Sequence, residues 1–192
     1  MKKIWLGAFL TTCLMLPSVA VHAADSATSS QDRKFLRDAS QDAMAVEQMS
    51  QIASQETENP GVKQITEKVA RDYTGASEKM RGLEKNLAVA APAELDKHSA
   101  REIDKLEGLS GAEFDQAVLR ELVKSQQACL LKIQQEAAIG SNAKVKEFAS
   151  ATLPPLQDDI YQVVLLQSDM NVTASTFNGN SANAGRPLAA QP

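Results

Sequence analysis

Four polar side chains interrupt apolar stretches at places where a helix would turn them inward. Glu47 follows Ala43 by four residues, Tyr73 falls between Val69 and Ala76, Gln126 follows Leu122 by four, and Asp159 follows Leu156 by three. One polar group from each of four long helical stretches would then meet at a common level of a core. Such a layer supports two kinds of chemistry. Buried polar groups are ordinarily satisfied by one another or by a trapped water, with no catalytic duty. Alternatively, two inward carboxylates with neutral oxygens can hold a hard cation weakly. Glu47 and Asp159 would then be the ligands, with Tyr73 and Gln126 supporting. Di-iron bundles gather Glu and Glu-x-x-His groups in this way. The ligand inventory opposes a metal here, because the sequence has only two histidines, His22 near the N-terminus and His98, and contains no Glu-x-x-His. No metal or other cofactor is expected.

Cys129 lies in the stripe between Leu122 and Ile133, where a lone cysteine behaves as a small hydrophobe. An intermolecular disulfide is the alternative. His98, between Lys97 and Arg101, reads as a surface residue. The sequence contains no Gly-x-Ser-x-Gly, phosphate loop, Cys-x-x-Cys or His-Glu-x-x-His, so nucleophilic and phosphoryl chemistry have no visible machinery. No catalytic residue is assigned, and an enzyme is not expected.

The elements that would position these groups are helices. Apolar residues recur at steps of three and four in four stretches. The first runs from Phe35 through Val46 to Ala53, and the second, the clearest, from Val62 through Tyr73 to Leu87. The third runs from Phe114 to Ala137 and the fourth from Val145 to Val163. Asn59 with Pro60 marks a helix start, and Ser110 with Glu113 has the spacing of a capping box. Gly140 followed by Ser141 reads as a stop and restart. Pro154-Pro155 predicts a kink or break in the fourth stretch. Short turns near Glu58 and Gly140 make two antiparallel hairpins, and the segment from about Val89 to Leu109 is long enough for a crossover with its own short helix. That pattern is an all-α, ferritin-like four-helix bundle: two antiparallel hairpins joined by a long crossover.

The ends read differently. Lys2-Lys3, the apolar run Ile4–Leu16 and the small residues before Ala24 form a signal peptide over residues 1–23, and the run is too short to span a membrane. The protein is expected in the periplasm, with no transmembrane segment in its mature form. Residues 24–31 read as a flexible linker, 32–170 as the bundle, and 171–192, rich in Asn, Ser, Ala and Gly, as a disordered tail. Without Lys2 and Lys3 there are 18 basic against 24 acidic residues, a balance that disfavours nucleic acid and anionic lipid surfaces as partners. With Cys13 gone only Cys129 remains, so no internal disulfide is expected.

Phe35-Leu36 with Ala39, Glu47, Val62-Lys63 with Ala70 and Asp72, Leu109-Ser110-Gly111 with Phe114-Asp115, and Ala149 with Leu153-Pro154 occur in an order that resembles one family. It is the exported ferritin-like family known as domain of unknown function 4142, and the resemblance covers about residues 35–166. It implies a helical bundle in the cell envelope and no assigned activity. The family tends to carry histidines at the positions occupied here by Tyr73, Gln126 and Asp159. Their loss removes the imidazoles any family metal site would use. The expected function is therefore a non-catalytic envelope or stress-associated interaction module acting on a protein partner, with a divergent ferritin-like metal-binding or redox protein as the alternative.

Overall fold

The computed structural model describes residues 27–183, with side chains through residue 171. The leader expected over residues 1–23 and the last nine residues of the expected tail lie outside the described residues. Five helices follow one another: α1 (Ser30–Glu56), α2 (Pro60–Asn86), α3 (Lys97–Glu107), α4 (Gly111–Ile139) and α5 (Ala143–Asn183).

Local chemistry sets most of the ends. Ser29 and Asp32 form a reciprocal cap: the Ser29 hydroxyl accepts from the Asp32 amide at 3.0 Å and the Asp32 carboxylate accepts from the Ser29 amide at 2.7 Å. Helix α1 therefore begins inside the stretch read as a linker. Asn59 caps α2 by accepting from the amides of Gly61 and Val62, with Pro60 opening the helix. Gly140 ends α4 because nothing larger fits: a Cβ there would lie 2.4 Å from Glu136 Oε1 and 2.6 Å from the Glu136 carbonyl oxygen.

Two expectations about helix ends and continuity are corrected. Ser110 is the N-cap of α4 but makes no side-chain capping bond. Gly111 follows it with φ of +56°, a left-handed turn that takes the chain away from the capping-box geometry. Of the kink or break read at Pro154-Pro155, the break does not occur; α5 runs through both. They and the neighbouring Ser150 and Ala151 are exposed, so the carbonyls of residues 150 and 151, deprived of their amide donors, face water instead of the core. Helix α5 also continues past Met170 to Asn183, into the stretch expected to lack structure.

Helix α1 packs most extensively on α2, and α4 on α5; these are the two hairpins. Cross-contacts fix their registers. Asp42 meets Lys132 and Thr57 meets Asp115, so α1 and α4 are antiparallel. Lys68 meets Asp158 and Asp159, and Gly61 lies against Leu166, so α2 and α5 are antiparallel too. The chain must therefore travel the length of the bundle from the end of α2 to the start of α4. On the way α3 packs on α1 and α4, burying Ile103 and Leu106. The core between the long helices is built from Leu36, Val46, Val62, Val69, Leu119, Leu122, Val145 and Val163, all without solvent exposure. Each contributes roughly 1.5–3 kcal/mol by leaving water.

Candidate functional site

The expected inward polar layer assembles in part. Tyr73, Gln126 and Asp159 are buried, and Tyr73 lies beside Gln126 and Cys129 and within the field of Asp159. Glu47 does not join them. It is half-buried and accepts a hydrogen bond from Thr74 Oγ1 at 2.7 Å on the α1–α2 side. The α1 acid whose charge reaches Tyr73 and Cys129 is Asp42, one turn and a residue earlier. Sequence reasoning missed it because it lies outside the apolar stripe. Its partner supplies the explanation: Lys132 on α4, at 2.6 Å, draws it to the helix seam.

Asp159 is committed as well. Lys68 Nζ lies 2.5 Å from Asp159, 2.9 Å from Asp72 and 3.2 Å from Asp158. Burial pushes the Asp159 carboxyl up to about 6 against the pull of Lys68. The lysine's own burial is outweighed by its three carboxylates, so its pKa rises. A cation at Asp159 would have to displace an ammonium already in place. Among the described residues no three His, Cys, Asp or Glu side chains are grouped as a metal site requires, which weighs against the metal-binding alternative.

The layer is also chemically quiet. Burial, then the nearby Asp42 charge, pushes the Cys129 thiol up to about 12, so it stays protonated and lacks the thiolate that nucleophilic attack needs. Burial likewise raises the Tyr73 phenol well above its ordinary value. Among the described residues the Tyr73 hydroxyl and both amide atoms of Gln126 meet no partner in good hydrogen-bond geometry, although the two side chains adjoin, an unusual condition for buried polar groups. His98 is exposed at the start of α3, its amide donating to the capping Asp96 at 2.7 Å.

What no single stripe revealed is the groove above this layer. Helices α2 and α5 make the least extensive contact of any neighbouring long pair. They are clasped at one end by the Lys68 cluster, and beyond it they part to leave an open cavity of about 820 Å³. Its floor comes from all four long helices: Ala39 and Ala43 of α1, Tyr73 and Met80 of α2, Cys129 and Ile133 of α4, Phe148 and Leu156 of α5. Gly75, Ala76 and Gly82 line the α2 rim, and a Cβ on either glycine would meet nothing within 4 Å. The signal available in the sequence was two glycines seven residues apart within an otherwise regular helix.

A second cluster of titratable groups lies where the α4–α5 turn meets the start of α1. The Asp32 carboxylate accepts from the amides of Ser141 at 2.8 Å and Asn142 at 3.2 Å, while also capping α1. Burial alone would raise its pKa, but the Glu136 carboxyl and the amides of Ser29 and Ser141 hold it at about 2. Glu136, itself buried, is pushed up to about 7 by burial and by Asp32.

The sequence profile of the Domain of unknown function (DUF4142) matches residues 17–165. The chain belongs to the DUF4142 family. No curated protein matches it. Among solved structures, this DUF4142 chain is similar to a DUF305 fragment from Deinococcus radiodurans, with a TM-score of 0.67 at 11% identity, covering 74% of this chain and 98% of that one. It is also similar to a putative secreted DUF305 protein from Streptomyces coelicolor, with a TM-score of 0.65 at 18% identity, covering 78% and 95%. At such identities the likeness is one of fold. No described helix of the DUF4142 chain is long and apolar enough to cross a membrane.

Proposed function

We propose that this protein is an exported, non-catalytic helical bundle that acts by binding, and that the groove between α2 and α5 is the surface it uses. The observation that carries the reading is the groove itself. It is an apolar concavity of ligand-binding size, opposite the face that the crossover covers, and the one cysteine on its floor is held as a protonated thiol. Export rests on the N-terminal pattern of Lys2-Lys3 followed by an apolar run and small residues, and places the work in the periplasm as an envelope or stress-associated interaction module. The two hairpins with one long crossover are the ferritin-like arrangement, read here as a scaffold whose inner layer has exchanged ligands for packing and an ion-pair clasp.

The test is site-specific photo-crosslinking in the living host. A benzophenone side chain placed at Ala76 or Ala151, on the two rims, should give adducts in the envelope, while the same group at Arg101 on α3 should not. Adducts from Arg101 alone, or from none of the three positions, would overturn the reading.

A further inference from the structure

We infer that the α2–α5 groove is a binding site for a single-chain amphiphile with an anionic head group. The inference rests on the proposal that the groove is the working surface, and adds the chemistry of its occupant. Dimensions come first. The α2 residues on the groove run from Arg71 to Asn86, an axial length of about 22 Å at the helical rise. The cavity of about 820 Å³ lies along that length. It has room for one extended hydrocarbon chain. The floor suits such a chain, since Met80, Ile133, Phe148, Cys129, Tyr73 and Leu156 offer it an apolar bed.

The two ends differ. At one, Lys68 holds Asp72, Asp158 and Asp159 with Arg71 alongside, an excess of one negative charge that disfavours an anion. Towards the other, Lys79 and Lys144 stand on opposite rims with one acid, Glu147. Lys79 makes no ion pair among the described residues. The head group is therefore placed at the Lys79–Lys144 end and the tail towards Tyr73 and Leu156. Gly75 and Gly82 fit this account. A glycine inside a helix is unfavourable relative to alanine, and at these positions no other part of the described chain fills the space a side chain would take.

The experiment is displacement of anilinonaphthalene sulfonate from the processed protein, stripped on a hydrophobic resin, by sodium hexadecanoate below its micellar concentration. Saturable displacement by one hexadecanoate per chain is expected, weakening about fourfold for each methylene removed, with hexadecanol weaker than hexadecanoate. Lys79→Glu should weaken hexadecanoate and leave hexadecanol unchanged. Gly82→Trp and Ala151→Trp, which obstruct opposite rims, should each abolish displacement while keeping their helical circular dichroism. No saturable displacement, equal affinity for the alcohol and the acid, or unaltered displacement in a folded tryptophan variant would overturn the inference. If hexadecanoate fails while the rim positions still crosslink a protein, the groove keeps its role and the amphiphile is wrong. If both fail, the groove has neither.

Discussion

The two unlike seams of this bundle are built from the same kinds of helix. Along α1–α4, polar ties recur from end to end: Asp32 on the α4–α5 turn, Asp42 with Lys132, and Thr57 with Asp115 at 2.5 Å. Helix α3 lies over that seam and buries Leu106. Along α2–α5 the tie is concentrated at one end, in the Lys68 cluster, and the rest stands open over an apolar floor. A long crossover can cover only one face of a four-helix arrangement. The comparison shows that the seam opposite the crossover stays open, and that Gly75 and Gly82 on its rim make no packing contact a side chain would disturb.

The largest expected effect is on the covered side. Leu106→Ala, at 4% exposure, should lower stability by about 2–5 kcal/mol in urea denaturation. Phe148→Ala, half-buried at the groove, should lose less than half as much. Equal losses would break the distinction between the seams.

Next in size is a pH dependence seated where the α4–α5 turn meets the start of α1. Folded Glu136 keeps a proton that the unfolded chain releases above about pH 4.5. Its contribution is therefore full below that pH and is lost as pH rises through about 7. Stability should fall by about 2–3 kcal/mol between pH 5 and pH 8 from this group, and buried Asp159, raised to about 6, adds a slope of the same sign at the lower end of the range. Asp32 acts oppositely, its contribution vanishing as pH falls through about 2. In Glu136→Gln the amide stands in for the protonated acid. Its melting temperature should vary less between pH 6 and 8 than the wild type's; an unchanged slope would remove Glu136 from this role.

The smallest effect sharpens the open side. Gly82→Ala should raise stability by about 1 kcal/mol, a rise of roughly 2–4 °C in Tm for a chain of this size. A loss of stability would mean that the α2 rim touches something the open groove does not contain.

Much of the fold was legible because helix formation is decided locally. The Val62–Leu87 stripe, the Asn59-Pro60 start and the Gly140 stop each follow from neighbours a few residues away, and α2 and α4 are bounded accordingly. The misreadings also have local causes. Ser110 has capping-box spacing but not its geometry, since Gly111 turns left-handed. Pro154 and Pro155 look like a break, yet sit on an exposed face of α5, where lost amide donors cost least. The Ser29–Asp32 cap was present in the sequence and hidden by its Ser- and Ala-rich surroundings.

The candidate site was legible only in pieces. Tyr73, Gln126 and Asp159 could be assigned to the interior because burial follows periodicity along one helix. That Glu47 would turn to Thr74, that Asp42 would take its place beside Cys129, and that Lys68 would occupy Asp159 depended on distances between helices. A sequence specifies which face of each helix is apolar. How far two such faces stand apart is decided by packing all five helices at once, and in this protein that separation, at α2 and α5, makes the groove.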